Sequence, residues 1–222
     1  LVNKEVPTEF KEVSAEYDID YIHAEEPLND FAYHPLLLRK ISENGPTIAV
    51  GDLNGDQLED FIIGSSFGNS PVIFFQTKDS KFVKTNLFDQ EEMLEYEVES
   101  IALFDLENDG DLDLYLVSGG GYFNKEKTNL EDRLFLNDGL GSFTQKKLEN
   151  SIHANGSIVV ANDFDEDGYI DLFVGARNIP GQYPLADKSY FLKNNKGNLE
   201  VQNITELGLV SDAKWIDIDN DQ

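Results

Sequence analysis

The sequence contains no cysteine, one methionine and one tryptophan, and only 17 lysines and arginines stand against 43 aspartates and glutamates. Without cysteine the chain can form neither a disulfide framework nor a thiolate metal site, and it has no thiol nucleophile. Any bound metal must therefore be held by oxygen ligands or by His23, His34 or His153. The formal net charge of −26 argues against nucleic acid as a partner, because phosphate backbones attract lysine and arginine.

Long hydrophobic runs are also missing. No segment approaches the roughly 18 consecutive apolar residues of a membrane-spanning helix, and the N-terminus has no basic-then-apolar signal pattern. We therefore expect no membrane insertion by this chain. A hydrophobic content of 40% over 222 residues is nevertheless enough for a globular core.

An acidic nine-residue loop pattern occurs three times in full and once in truncated form. Oxygen-bearing side chains recur at the first, third, fifth and ninth positions. They are Asp52, Asn54, Asp56 and Asp60; Asp105, Glu107, Asp109 and Asp113; Asp163, Asp165, Asp167 and Asp171; and, in the truncated copy, Asp217, Asp219 and Asp221. The starting aspartates lie 53, 58 and 54 residues apart, so one structural unit is repeated along the chain.

The spacing of this pattern suits Ca²⁺, which takes about six to eight oxygen ligands. Backbone carbonyls of Leu58, Asp111 and Tyr169, at the seventh position, are expected to add a fifth ligand to each complete loop. Gly110 and Gly168 occupy the sixth position, where a sharp turn favours a positive φ. Glutamine replaces that glycine in the first and fourth loops, which predicts weaker sites there.

Two other readings of the loops are disfavoured. A helix-loop-helix calcium site needs a glutamate at position twelve, which is instead Ile63, Leu116 or Val174. Mg²⁺ prefers a near-ideal octahedron rich in water, whereas this loop offers mostly protein oxygens.

Short apolar runs flank each loop and predict buried strands. First strands are expected at 47–50, 101–104, 158–161 and 213–216, and second strands at 61–63, 114–117 and 172–174. Third strands are expected at 72–75, 134–136 and 190–192, with a more polar fourth strand around Phe82, Phe143 and Leu199. Each repeat is therefore predicted to be four antiparallel strands joined by tight hairpins.

Tandem four-stranded units predict an all-β fold, a β-propeller built from four-stranded antiparallel blades. The chain holds a partial propeller of about three complete blades plus the start of another. The expected organisation is an N-terminal entry segment at 1–45, then repeats at approximately 46–98, 99–156, 157–211 and, truncated, 212–222. Within the entry segment, 10–13 resembles an outer strand, and a loop or short helix is expected around 36–41.

Residues 163–176, with the sequence DFDEDGYIDLFVGA, resemble the FG-GAP repeat of integrin α-subunit propellers and of bacterial FG-GAP/VCBS repeat proteins. The resemblance covers 46–222. Segments 19–38, 45–52 and 177–184 further resemble the ASPIC/UnbV-type, or CRTAC-like, group of that family. The resemblance implies a seven-bladed propeller, Ca²⁺ in the loops between first and second strands, and an extracellular or cell-envelope location.

The leading functional hypothesis is a Ca²⁺-stabilised module that binds a protein or glycan. Its partner would bind the face opposite the metal loops, where Tyr122, Phe123, Arg177 and Tyr183 are candidate contacts. The alternative for these side chains is packing within the propeller. The rival functional class is a propeller-fold polysaccharide lyase or hydrolase, but we expect no enzyme, because the carboxylates belong to the loops and no catalytic motif occurs.

Overall fold

The strands that the structure describes form three antiparallel sheets. The structure, a computed structural model, describes residues 10–25, 27–88, 95–120, 130–150, 152–202 and 206–218. Blade 1 contains β1 (Ile48–Gly51), β2 (Asp60–Ile63), β3 (Val72–Gln76) and β4 (Phe82–Asn86). Blade 2 contains β5 (Val98–Phe104), β6 (Asp113–Ser118), β7 (Arg133–Asn137) and β8 (Phe143–Lys146). Blade 3 contains β9 (Gly156–Asn162), β10 (Asp171–Ala176), β11 (Tyr190–Asn194) and β12 (Leu199–Gln202).

Each strand pairs with its neighbour in sequence, and the blades pack side by side. The first strand of blade 2, β5, contacts both β1 and β9, so the first strands of the blades lie next to one another. The prediction of an all-β fold with four-stranded antiparallel blades, arranged as part of a propeller, is confirmed.

The middle of strand β6 shows why the central apolar runs are continuous. All six of its residues are buried, the four central ones are apolar, and the polar ends, Asp113 and Ser118, are hydrogen-bonded. Leu114 and Leu116 join a core with blade 1, whereas Tyr115 and Val117 join a second core with blade 3. Side chains alternate between the two faces of a strand, so a strand covered on both faces needs apolar residues at every position.

Asparagine side chains connect the first two acidic loops to the blade that follows each of them. Asn137, at the end of β7, donates from Nδ2 to the carbonyl oxygen of Leu53 at 2.9 Å. Asn194, at the end of β11, donates in the same way to Leu106 at 2.9 Å. Both leucines are the second residue of their loop and are fully buried. This repeated contact fixes the position of each loop relative to the next blade.

A buried carboxylate adds a further link between blades 2 and 3. Asp132 Oδ2 accepts hydrogen bonds from the Tyr115 hydroxyl, at 2.9 Å, and from the Tyr190 hydroxyl. Its Oδ1 accepts the Ser118 amide at 2.8 Å. Burial raises the pKa of Asp132 to about 7, although these hydrogen bonds act in the opposite direction. The two tyrosines belong to different blades, so one carboxyl group ties the two sheets together.

The N-terminal segment agrees with the sequence-based expectation only in part. Residues 10–13 form no strand, and a 3₁₀ turn (Ser14–Glu16) follows them. Residues 36–41 form a loop, one of the two alternatives expected there, and the short helix α1 lies earlier, at Asp30–Tyr33. Tyr21 packs edge-on against Phe74, with ring centroids 6.3 Å apart. The segment thus covers blade 1 through side-chain packing instead of adding a strand. In the described ranges no helix is long and apolar enough to cross a membrane.

The predicted strand at 213–216 is also wrong. No described residue pairs with this run, and a strand requires a hydrogen-bonded neighbour. Trp215 instead stacks on Phe164, with centroids 6.1 Å apart and the rings nearly parallel, and it contacts Phe191 as well. The apolar signal of the run therefore reflects packing against blade 3.

We expect Asn194→Ala to lower the free energy of unfolding by about 2 kcal/mol, because it leaves the buried Leu106 carbonyl without its side-chain donor. The matched control is Asn195→Ala, since Asn195 is the exposed next residue, and its cost should stay within about 0.5 kcal/mol. Urea denaturation of both variants measures the difference. Equal midpoints would show that the asparagine contact does not stabilise the blade boundary.

Candidate metal centre

The three complete loops share one backbone conformation. The fourth and sixth positions of every loop have positive φ. These residues are Gly55 and Gln57, Asn108 and Gly110, and Glu166 and Gly168, with φ between 58° and 96°. Gln57, where glycine was expected, has φ of 69°, so the substitution leaves the turn unchanged. It costs conformational strain instead, since residues with a Cβ rarely adopt this region.

The starting aspartate organises each loop through backbone amides. Asp163 Oδ1 accepts the amide of Asp167 at 3.0 Å, and its Oδ2 accepts the amide of Gly168 at 2.8 Å. Asp105 accepts the two corresponding amides in the second loop at 3.1 and 2.9 Å. Asp52 likewise accepts several amides of the first loop. These bonds curl the loop around its first carboxylate.

The ninth aspartate joins the loop to the third strand of its blade. Asp171 Oδ2 accepts the Phe164 amide at 3.2 Å, and its Oδ1 accepts the Asn194 amide at 2.7 Å. Asp60 and Asp113 make the same pair of bonds in their own blades, and all three side chains are fully buried. Burial raises the pKa of each of these carboxyl groups, with the backbone hydrogen bonds opposing it.

In the third loop these constraints bring three carboxylates to one point. Ligand oxygens of Asp163, Asp165 and Asp171 all lie within 4.8 Å of one another. A carboxylate oxygen has two lone pairs, so accepting one amide leaves a lone pair for a cation. Three converging carboxylate oxygens fit a hard metal ion. The third loop can therefore hold a metal.

Asp167, predicted as a fourth side-chain ligand, lies outside that group. Its Oδ1 accepts the Tyr169 amide at 3.0 Å, and its Oδ2 lies 3.4 Å from the Lys193 ammonium. Lys193 also forms an ion pair with Asp165. It precedes Asn194 on β11, the position that Phe75 and Leu136 occupy in the other blades. The third loop alone among the three complete loops therefore has a lysine at this point of its third strand.

The first two loops, both described in full, contain no matching trio of Asp, Glu, His or Cys ligands at this distance. Asn54 Oδ1 accepts the Asp56 amide at 3.0 Å. Glu107 lies 3.4 Å from the Lys146 ammonium. Burial, followed by the neighbouring carboxylates, raises the pKa of Asp111 to about 6.

Some predicted ligands stay predictions. The structure does not test the carbonyls of Leu58, Asp111 and Tyr169 as ligands. Asp217 of the fourth loop is described, but Asp219 and Asp221 lie outside the described residues.

Comparison with family models agrees with this geometry. A model described as the FG-GAP-like repeat matches residues 52–116 and 105–174. The two matches overlap and together span 52–174, more than half of the chain. The chain belongs to the FG-GAP-like repeat family. Comparison with curated proteins gave no match.

The candidate partner contacts of this FG-GAP-like chain lie in different surroundings. Arg177 pairs with Glu99, with Nη1 2.8 Å from Oε2, and its side chain is 19% exposed. Tyr183 packs edge-on against His34 of the entry segment, with centroids 6.3 Å apart. Tyr122 and Phe123 lie outside the described residues. Arg177 is thus engaged within the molecule, whereas Tyr183 remains partly exposed.

Sequence reasoning missed the residues that support the FG-GAP-like loops from outside. Asn137 and Asn194 hold the preceding loops through Leu53 and Leu106. Their signal was present, because an asparagine ends the third strand in both blades. Lys193 could have been found only by comparing the three blades, because the other two have an apolar residue at the equivalent position.

We expect Lys193→Leu to tighten cation binding by the third loop about tenfold, because a fixed ammonium group repels a bound cation. Trp215, the one tryptophan of the chain, stacks on Phe164 in this loop, so its fluorescence reports on the site. A Ca²⁺ titration followed by that signal measures the change. Leu136→Lys, at the equivalent position of blade 2, is the matched control. It should not change the midpoint of the Ca²⁺ titration followed by Trp215 fluorescence. An unchanged or weaker affinity of Lys193→Leu would refute the assigned role.

Proposed function

We propose that this chain is a calcium-stabilised β-propeller module that binds a partner outside the cytoplasm. The observation that carries the proposal is the convergence of Asp163, Asp165 and Asp171 in a loop that the backbone holds in shape. Ca²⁺ is favoured over Mg²⁺ because these ligands are oxygens on an irregular loop. Ca²⁺ accepts irregular coordination, whereas Mg²⁺ demands a near-ideal octahedron.

A structural role for the ion follows from where its ligands lie. Asp171 bonds the amide of Asn194, and Asn194 holds the second loop through Leu106. An ion bound to Asp171 is therefore connected to two blades. At a free concentration tenfold above its Kd, an ion adds about 1.4 kcal/mol to stability, a substantial share for a domain.

The proposed location rests on calcium supply and on the family. FG-GAP-like repeats are typical of extracellular proteins. Extracellular calcium modules bind Ca²⁺ with a Kd of about 10⁻⁴ to 10⁻³ M. Such sites are filled at millimolar Ca²⁺ and stay empty at cytosolic Ca²⁺ concentrations. The acidic loops would thus be occupied only after export.

The proposed partner surface is the loop between β10 and β11, on the side away from the metal. Five backbone hydrogen bonds shape it, among them Ile179 to Leu185 at 2.8 Å and Asp187 to Arg177 at 2.8 Å. Leu185 is 56% exposed at its tip. A shaped loop that presents Leu185 and Tyr183 suits a protein or glycan partner, since ordering such a loop costs little on binding.

We propose binding rather than catalysis for this segment. The loop carboxylates are engaged by backbone amides, as the bonds of Asp163 and Asp171 illustrate, which suits a structural role better than that of a glycosidase pair.

We expect Ca²⁺ to raise the melting temperature relative to chelator, by about 3 to 6 °C for each occupied site at tenfold excess over Kd. Asp165→Ala should remove the part of this rise that the third loop contributes, because Asp165 supplies a ligand oxygen. Since Asp165 is exposed, the substitution should disturb the fold little. Glu149→Ala, at an exposed acidic residue outside the loops, is the control and should keep the full shift. Differential scanning calorimetry measures all three proteins. Identical melting in Ca²⁺ and chelator would rule out the calcium role.

A further inference from the structure

A second group of carboxylates lies at the opposite end of the blades. We call Glu25, Glu97 and Glu99 the glutamate cluster. Glu97 and Glu99 lie at the start of β5, whereas Asp105 follows its end, so about 20 Å of strand separates the cluster from the second acidic loop. Glu25 comes from the entry segment, and all three line one cavity. The cluster is therefore distinct from the FG-GAP-like loops.

Two buried oxygen atoms in this cavity lack hydrogen-bond partners within the described part of the chain. They are Glu99 Oε1 and Ser65 Oγ. The Glu99 side chain is only 5% exposed, and Ser65 is 3% exposed. Buried polar atoms are nearly always satisfied, so two such atoms facing one cavity indicate a bound species.

The cavity is the size of a single small species. Its volume is about 10 Å³, enough for one water molecule or one monatomic ion and too small for an organic group. Its wall is formed mainly by polar atoms of the glutamate cluster, Ser65 and His23. The chemical class of ligand is thereby narrowed to water or a bare ion.

Charge favours a cation over water. Arg177 neutralises one carboxylate through its contact with Glu99 Oε2 at 2.8 Å, and His23 Nε2 lies 2.6 Å from Glu25 Oε1. No ion pair of Glu97 is found among the described residues, and burial, then Glu99 and Glu25, raises its pKa to about 9. Water leaves that electrostatic cost in place, whereas a proton on Glu97 or a bound cation relieves it, and a cation can in addition contact Glu99 Oε1 and Ser65 Oγ together.

Glycines make room for these carboxylates. A Cβ at Gly120, just beyond β6, would come within 1.9 Å of Glu97 Oε2. A Cβ at Gly119 would come within 2.8 Å of Glu99 Cγ, and one at Gly45 within 3.1 Å of Glu25 Oε1. The three acidic side chains therefore pack closely against glycine backbone in a crowded part of the fold.

We propose that Glu97, Glu99 and Ser65, supported by Glu25, bind one Ca²⁺ ion at the junction of blades 1 and 2 and the entry segment. Oxygen ligands from a carboxylate pair and a hydroxyl suit a hard cation. The amide of Val98 donates to the Ser65 carbonyl at 2.8 Å, so the two chain segments that carry the ligands are already joined. The ion would fasten the entry segment to the blades.

Equilibrium dialysis of the full chain with radioactive Ca²⁺ at neutral pH tests the proposal. Glu97→Gln keeps the shape of the side chain and should bind one ion fewer per chain than the native protein. Glu95→Gln, at an exposed residue two positions away, is the matched control and should bind the native number. The same number of ions in all three proteins would overturn the proposal and leave water or a proton in the cavity.

Two further variants keep the result interpretable. Ser65→Ala removes only a hydroxyl group and should weaken Ca²⁺ binding at one site about tenfold. This variant gives a result even if Glu97→Gln fails to fold. Unchanged Ca²⁺ affinity in Ser65→Ala would count against the proposal. Asp165→Ala should lose a different ion, so that the double variant Glu97→Gln, Asp165→Ala loses two. If Asp165→Ala loses an ion while Glu97→Gln keeps the native number, the loop site is supported and the glutamate site is refuted.

Discussion

The bond of the ninth aspartate to two backbone amides is the interaction on which the rest of the structure depends. In each blade one carboxylate, from Asp60, Asp113 or Asp171, accepts an amide of its own loop and an amide at the end of the third strand. The carboxylate is fully buried in every case. A charged acceptor that serves two amides is worth several ordinary hydrogen bonds, but it also confines negative charge in the interior. A cation at the loop relieves that cost, so architecture and metal binding share one group.

The same arrangement explains how blades associate. The second loop residue, Leu53 or Leu106, buries its side chain between blades and offers its carbonyl to an asparagine of the next blade. In the third blade the equivalent residue is Phe164, which is 42% exposed and stacks on Trp215. The loop is thus both a metal site and a joint between repeats. Folding of one loop supports the blade that follows it.

The strands could be predicted from sequence because buried strands and acidic turns leave strong local signals. The spacing of the repeats and the apolar runs predicted the position of every strand of the three blades to within a few residues. The strand expected at 213–216 failed because strand formation needs a partner, which a local pattern cannot reveal. The entry segment failed for a related reason: residues such as Tyr21 are held by side-chain packing on Phe74, with no repeat to compare.

The candidate sites were less predictable than the fold. Spacing indicated which loops carry oxygen ligands and predicted weaker sites where glutamine replaces glycine, but it did not distinguish the second loop from the third. Among the three complete loops, the structure gathers three carboxylates in the third alone and places Lys193 beside them. The glutamate cluster was invisible, because Glu25 and Glu97 are distant in sequence and meet only after the entry segment packs on the blades. Tertiary contacts, rather than local pattern, create both features.

The most direct test of the central claim is the thermal midpoint of Asp171→Asn in chelator and in Ca²⁺, with Glu166→Gln in the same loop as control. Asparagine has a single acceptor oxygen, so one buried amide loses its partner. We expect the midpoint in chelator to fall by about 4 to 8 °C and the Ca²⁺-induced rise to shrink, because an orphaned amide costs about 2 kcal/mol. Melting identical to the native protein in both conditions would contradict the account.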